Sequence, residues 1–290
     1  MTALFQQVTI VGVGLIGGSL GMVLKEKGLA NSVVGLGRSL ENLKLGVELG
    51  AIDRYERDPR LALQGTDLVV LATPIESYAS HVTQWGALLE PGAIISDVGS
   101  VKGPLVEQVE TLLPPEVHFV GAHPIAGKEQ SGVQAGSSQL FQGSLCIVTP
   151  TDRTNAQALD RVCKLWEVVG SHTILLDPHL HDWILGAVSH FPHVVAFTLM
   201  NALGEIQQQS KEKVELLRYS GGGLRDTTRI AASSPEMWRD ISLWNRENLL
   251  SMIETYERHL IQFKNLLKAK DGEGLEKVMS QARTLRGTLR

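Results

Sequence analysis

The chain has 290 residues, 43% hydrophobic and 20% charged, and its 27 Lys and Arg against 31 Asp and Glu leave a formal net charge of −4. So much apolar content excludes a disordered chain, and this length suits about two domains, each with its own core. A mildly acidic chain repels phosphate overall, which argues against nucleic acid as the main partner.

The first apolar run, Val8–Val13, reads as a strand and leads straight into Gly12-Val13-Gly14-Leu15-Ile16-Gly17. In this G-x-G-x-x-G, Gly12 permits a tight turn, Gly14 lets backbone approach a pyrophosphate, and Gly17 lets the following helix, Leu15–Lys27, pack close to the strand. The amides of Leu15, Ile16 and Gly17 then open a helix whose positive end attracts phosphate, so strand, turn and helix together predict a dinucleotide site.

A second strand, Ser32–Leu36, ends in Gly37-Arg38-Ser39. An Asp or Glu there would bind the 2′-hydroxyl of NAD. Gly37 stands in its place, and Arg38 with Ser39 suits a 2′-phosphate, so the sequence favours NADP, with NAD as the alternative.

Helix-like segments at Leu40–Leu49, Ser77–Leu89 and Asn155–Val169 then alternate with strand-like runs at Asp67–Ala72, Ala93–Ser96, His118–Gly121, Leu145–Thr149 and Thr173–Leu176. This alternation predicts βαβ units and a mainly parallel sheet covered on both faces. Two polar turns fall at expected carboxyl ends of strands, where such sheets bind ligands: Ser96–Lys102, which contains Ser100, and Gly121–Gly127, which contains His123. A histidine beside a nicotinamide is suited to accept a proton while hydride leaves the substrate.

Strand signals stop after Asp177-Pro178 and the rest reads as helix, which predicts domains at 1–176 and 177–290. From Trp183 to Gly204 there is no Asp, Glu, Lys or Arg. That run is long enough to cross a bilayer, but its histidines, Pro192, Asn201 and glycines point to a helix buried between other helices and not to a membrane. It carries Ser189-His190-Phe191-Pro192-His193, whose two histidines would share a helix face. No cysteine or carboxylate is placed nearby as zinc would require, so no metal is expected. Gly221–Arg229 follows, where either Arg225 or Arg229 suits an anionic substrate. The last helices bear an apolar stripe (Leu249, Met252, Tyr256, Leu260, Phe263, Leu267) that suggests a second subunit. Two cysteines, Cys146 and Cys163, and an N-terminus without a basic secretory leader point to the cytoplasm.

Taken together, GVGLIGGSL (Gly12–Leu20), LATP (Leu71–Pro74), SDVGSVK (Ser96–Lys102), GAHPIAG (Gly121–Gly127), SHFPH (Ser189–His193) and GGGLRDTTRIA (Gly221–Ala231) resemble the prephenate and arogenate dehydrogenases of tyrosine biosynthesis. The resemblance implies an α/β Rossmann-type N-terminal domain, followed by an all-α domain that forms a homodimer, with the site between them. It implies NAD(P)-dependent oxidative decarboxylation of prephenate, or of arogenate. In that scheme His123 accepts the hydroxyl proton and Ser100 hydrogen-bonds the same hydroxyl and the histidine. Arg229 binds a substrate carboxylate, Ser189, His190, His193 and Gly222 line the pocket, Trp238 flanks it, and Thr73 and Pro74 touch the cofactor. It also suggests Glu129 as a gating partner for Arg229, and Gln134, in place of an acidic residue, as a mark of prephenate over arogenate.

Overall fold

In a computed structural model, residues 3–127, 130–211 and 214–289 are described, and Glu129 lies outside them. Along the central strands, neighbouring apolar residues face opposite ways because strand side chains alternate. Leu68 and Val70 enter one core with Leu20 and Leu24 of the first helix and Val162 and Trp166 of the sixth. Val69 and Leu71 enter the other core with Tyr78, Val82, Leu105 and Val109. A sheet buried on both faces follows.

The strands are β1 (Phe5–Val11), β2 (Ala30–Leu36), β3 (Arg54–Glu56), β4 (Leu68–Leu71), β5 (Ile94–Asp97), β6 (His118–Ile125), β7 (Leu145–Thr149) and β8 (His172–Leu175). Their order in the sheet is β3-β2-β1-β4-β5-β6-β7-β8. All neighbours run parallel except β6 and β7. The helices among them are α1 (Leu15–Glu26), α2 (Leu40–Glu48), α3 (Pro59–Ala62), α4 (Tyr78–Trp85), α5 (Gly103–Leu112) and α6 (Ala156–Val169). Chain order reverses at β1, which lies between β2 and β4, so the crevice for a ligand opens at the carboxyl ends of β1 and β4.

After β8 come α7 (Pro178–Leu185), α8 (Phe191–Gln209), α9 (Gly222–Thr228), α10 (Pro235–Trp244), α11 (Arg246–Ala269) and α12 (Gly272–Arg286). Asp177 caps α7 by accepting from the His179 and Leu180 amides, with Pro178 in the first turn, so the helix starts where the strand pattern ends. Trp238 and Ile241 of α10 enter the core formed by β4, α4 and α5, joining the helical segment to the sheet.

Three features differ from expectation. The edge strand β3 has the sequence Arg-Tyr-Glu, too short and too charged to stand out as a strand. Strand β6 runs on through His123 and Pro124 and does not stop at Gly121, because beyond Val120 it pairs only with β7 and a proline is tolerated on an open edge. The uncharged run is not buried within the chain: Ala196 is the buried residue of α8, and only 22% of the most apolar window in Pro178–Gln209 is buried. By length and composition alone this segment could cross a membrane. Its neighbours, α9, α11 and the turn Arg229–Ala232, pack along part of its surface and leave the remainder uncovered.

Candidate active site

The glycine turn has the shape its sequence requires. Gly12 takes φ +93°, and a Cβ there would come within 2.7 Å of the Ala72 carbonyl oxygen. A Cβ on Gly17 would strike the Gly12 carbonyl, whereas one on Gly14 would meet nothing within 4 Å. Gly12 and Gly17 therefore serve close packing, and Gly14 faces open space at the start of α1, where Leu15 and Ile16 follow. A pyrophosphate fits such a cradle.

Thr73 packs beside this turn, its methyl carbon 2.9 Å from the Cβ position of Gly12, and its hydroxyl meets Ser77 Oγ at 2.7 Å beyond Pro74. At the end of β2, Arg38 is exposed and its charge reaches His81, which burial and then that charge hold below the ordinary histidine value. Ser39 caps α2, its hydroxyl oxygen accepting from the Asn42 amide at 3.3 Å. Asn42 Nδ2 in turn donates to the Val13 carbonyl at 2.7 Å, tying α2 to the glycine turn.

His123 lies in the stretch of β6 that extends past β5, and is 9% exposed. Beside it the missing ladder is replaced by a side chain: the Ala122 amide donates to Asp97 Oδ1 at 3.0 Å. Asp97 Oδ2 accepts from Lys102 Nζ at 2.7 Å and from the Gly99 amide at 2.8 Å. Lys102 is fully buried, with its ammonium also donating to the Gly99 carbonyl at 2.5 Å. A lone buried cation would be prohibitively costly, so this pairing is what permits a lysine beside the histidine. Burial, and then the charge of Lys102, hold His123 well below the usual histidine value, with His181 and His190 adding to the effect. That direction favours a neutral imidazole at neutral pH, with one ring nitrogen free to accept a proton.

The helical segment completes the site. His123 Nδ1 lies 2.9 Å from His181 Nε2, and His181 Nδ1 lies 2.7 Å from Asp182 Oδ1. The ring hydrogen bond of His123 thus goes to α7, and no hydrogen bond joins it to Ser100 among the described residues. Ser100 instead places its backbone against His190.

Between α7 and α8, Gly186–His190 forms a π turn, since Pro192 has no N–H to continue the regular ladder. Asn245 Nδ2 donates to His190 Nδ1 at 2.9 Å and to the Asp182 carbonyl at 2.8 Å. His193 donates from Nδ1 to the Ser189 carbonyl at 2.8 Å and stacks on Trp238 with centroids 3.6 Å apart. Arg229 lies within electrostatic reach of His193, which burial and then this charge keep low. Gly222 begins α9, which packs with Arg229–Ala232 against α8, and a Cβ on Gly222 would meet nothing within 4 Å. Among the described residues, no group of three or more His, Cys, Asp or Glu is arranged to hold a metal.

His123, His190, His193, Ser189, Trp238 and Arg229 therefore share one region. Sequence reasoning singled out the turn that holds Asp97 and Lys102 without giving those two a role, and missed His181, Asp182 and Asn245. The adjacent His181-Asp182 at the head of an otherwise uncharged helix is a signal that could have found the α7 pair, since polar residues seldom enter such a segment without a purpose.

These buried histidines make the fold acid-sensitive. His190 is lowered to about 4, chiefly by burial. The unfolded chain, with histidines near 6.5, binds more protons below that pH, so the stabilisation is complete above 6.5 and is lost as pH falls toward 4. His190 alone contributes about 3 kcal/mol across that window. Thermal melts are expected to be flat above pH 7 and to drop steadily below 6.5; an unchanged Tm at pH 5 contradicts this.

Comparison with known proteins places the whole chain in one family. The family model for the nucleotide-binding domain of prephenate dehydrogenase matches residues 20–175, and that for its dimerization domain matches 177–281. Prephenate dehydrogenase of Bacillus subtilis is 32% identical over 292 aligned residues, covering 100% of this chain and 77% of the relative. The cyclohexadienyl dehydrogenase of Zymomonas mobilis is also 32% identical, covering 93% and 92%. Among solved structures, prephenate dehydrogenase from Aquifex aeolicus in complex with hydroxyphenyl propionate and NAD+ superposes with TM-score 0.90 at 38% identity, covering 97% of each chain. The chain belongs to the prephenate dehydrogenase family.

Proposed function

We propose that the protein is a nicotinamide-dependent dehydrogenase that converts prephenate to 4-hydroxyphenylpyruvate in tyrosine biosynthesis, with residues 1–176 binding the dinucleotide and 177–290 binding substrate and pairing with a second subunit. The observation that carries this reading is a buried His123 held below its usual value by burial, Lys102, His181 and His190, in the same region as a His193 that stacks on Trp238 and feels the Arg229 cation.

Gly12, Gly14, Leu15, Ile16 and Gly17 would hold the pyrophosphate, and Thr73 and Pro74 would border the cofactor. When bound, the nicotinamide supplies the hydride acceptor. His123 takes the proton of the ring hydroxyl as the carbon beneath it is oxidised. Breaking the bond to the ring carboxylate then releases carbon dioxide and sends the electron pair through the ring to that same oxygen. The resulting phenolate recovers its proton from His123, so the wall of the site needs no route for a proton to solvent. Arg229 binds a carboxylate, and Ser100, Ser189, His190, His193, Gly222 and Trp238 shape the pocket. Orientation supplies much of the rate, since aromatisation drives the chemistry.

NADP is the preferred cofactor in this reading. A Cβ at Gly37 would rest 3.5 Å from Leu43, an ordinary contact, so close packing is not what demands a glycine there. The absence of a carboxylate removes a repulsion against a 2′-phosphate held by Arg38 and Ser39. Gly37→Asp is therefore expected to fold normally and to lower kcat/KM for NADP by about tenfold or more relative to NAD.

The exposed apolar residues Ile206, Leu260, Ile261, Leu267, Met279 and Leu285 support a homodimer through the helical segment, which would also cover α8. The cytoplasm is the setting this chemistry suits. The test is a two-by-two comparison of prephenate and arogenate, each with NAD and NADP, followed at 340 nm. Highest kcat/KM for prephenate with NADP is expected; a strong arogenate preference overturns the substrate, and a strong NAD preference overturns the assignment of Arg38 and Ser39.

A further inference from the structure

The carboxylate of Asp182 is held at the join between the two halves of the chain. Its Oδ1 accepts from the Lys102 amide at 2.7 Å and its Oδ2 from the Gly103 amide at 2.8 Å, at the first turn of α5. Both oxygens are thus committed as acceptors, facing two backbone donors at the positive end of a ten-residue helix. The approach is close: a Cβ on Gly103 would come 3.0 Å from Asp182 Oδ2 and 2.8 Å from His179 Nδ1.

The proton shared across the 2.7 Å contact between Asp182 Oδ1 and His181 Nδ1 therefore belongs to His181. A neutral His181 with Nδ1–H has a lone pair at Nε2. Across the next contact, 2.9 Å to His123 Nδ1, the proton must then belong to His123. His123 is left with an unprotonated Nε2. His181 is fully buried and Lys102 lies nearby, so a doubly protonated His181, which would reverse the chain of donors, is disfavoured. Neither partner touches solvent to any extent, Asp182 being 2% exposed.

We propose that Asp182 and His181 are positioning residues that hold His123 in its Nδ1–H tautomer, so that Nε2 is the atom presented to the substrate hydroxyl. They act through His123 and not on the substrate. Because His123 and the α5 amides belong to the sheet segment while His181 and Asp182 belong to α7, the base acquires its correct tautomer only when the two halves are docked. This rests on the dehydrogenase reading for its kinetic consequence, but the tautomer itself does not.

Two substitutions separate positioning from packing. In His181→Gln the amide carbonyl can accept from His123 Nδ1–H while the amide NH2 donates to Asp182, so both contacts survive. His181→Leu fills similar space and offers neither. With prephenate and oxidised cofactor, His181→Leu is expected to lower kcat by about 10²-fold or more, with KM and cofactor Kd within about threefold of wild type. His181→Gln is expected to stay within about tenfold of wild type. A kcat for His181→Leu within about threefold of wild type, or a His181→Gln as impaired as His181→Leu, overturns the proposal. A readout independent of turnover, and of whether either variant folds, is the two-bond 1H–15N correlation of ring-labelled wild-type protein. It should place the His123 proton on Nδ1, and a proton on Nε2 overturns the proposal. If wild-type protein turns over neither prephenate nor arogenate, the dehydrogenase reading fails, and the nitrogen spectrum still decides the tautomer.

Discussion

His123→Asn is expected to lower kcat by about 10²- to 10⁴-fold, the range over which a positioned general base acts. Asparagine keeps a donor toward His181 and little else of the imidazole: it has no nitrogen able to take a proton. Since the proton is accepted only as hydride departs, substrate KM and cofactor Kd should change little, and the loss should fall on kcat. The acid limb tests the same assignment. His123 lies well below 6.5 because it is buried and faces Lys102, so kcat/KM should remain high down to pH 6.5 and decline only below it. Steady-state rates of reduced-cofactor formation at 340 nm, with a cofactor titration on the variant, measure all of these. A variant that keeps most of its kcat removes His123 as the proton acceptor.

Arg229→Ala is expected to raise substrate KM by about 10- to 100-fold, the equivalent of one charge-assisted bond to a carboxylate. Arg229→Lys should recover part of that loss, because an ammonium retains the charge but not the two-pronged geometry. Arg225 is the control. It is exposed on α9 in the same glycine-rich segment, and Arg225→Ala should leave KM within about twofold. Equal effects at the two positions would mean that the anion site has been misplaced. A second consequence follows at His193, which Arg229 helps to keep low and which should titrate higher once that charge is gone.

The nucleotide half was largely legible because its signals are local. The glycine turn, the missing carboxylate at Gly37 and the alternating apolar runs each depend on residues within a few positions of one another, and β3 escaped notice only because a three-residue charged edge strand has no local pattern. The site around His123 was legible in part. Its strand could be read, but the groups that set its chemistry come from elsewhere in the chain: Lys102 from the β5–α5 turn, and His181, 58 residues onward, from α7. The first pairing joins two neighbouring strand ends and the second arises from packing between the halves, and periodicity carries no information on either. The uncharged run illustrates the converse. Its composition matched a buried helix, yet within the chain α8 is only partly covered, with Ala196 its buried residue, because apolar composition does not record what a face packs against.

The reaction assigned to this site is the oxidation and decarboxylation of prephenate. Its most direct test is a stoichiometric one: incubate the purified protein with prephenate and limiting NADP or NAD, quench, and quantify 4-hydroxyphenylpyruvate against reduced nicotinamide. One molecule of product for each cofactor reduced is predicted. Cofactor binding with no reduction, or reduction without the aromatic product, would contradict it.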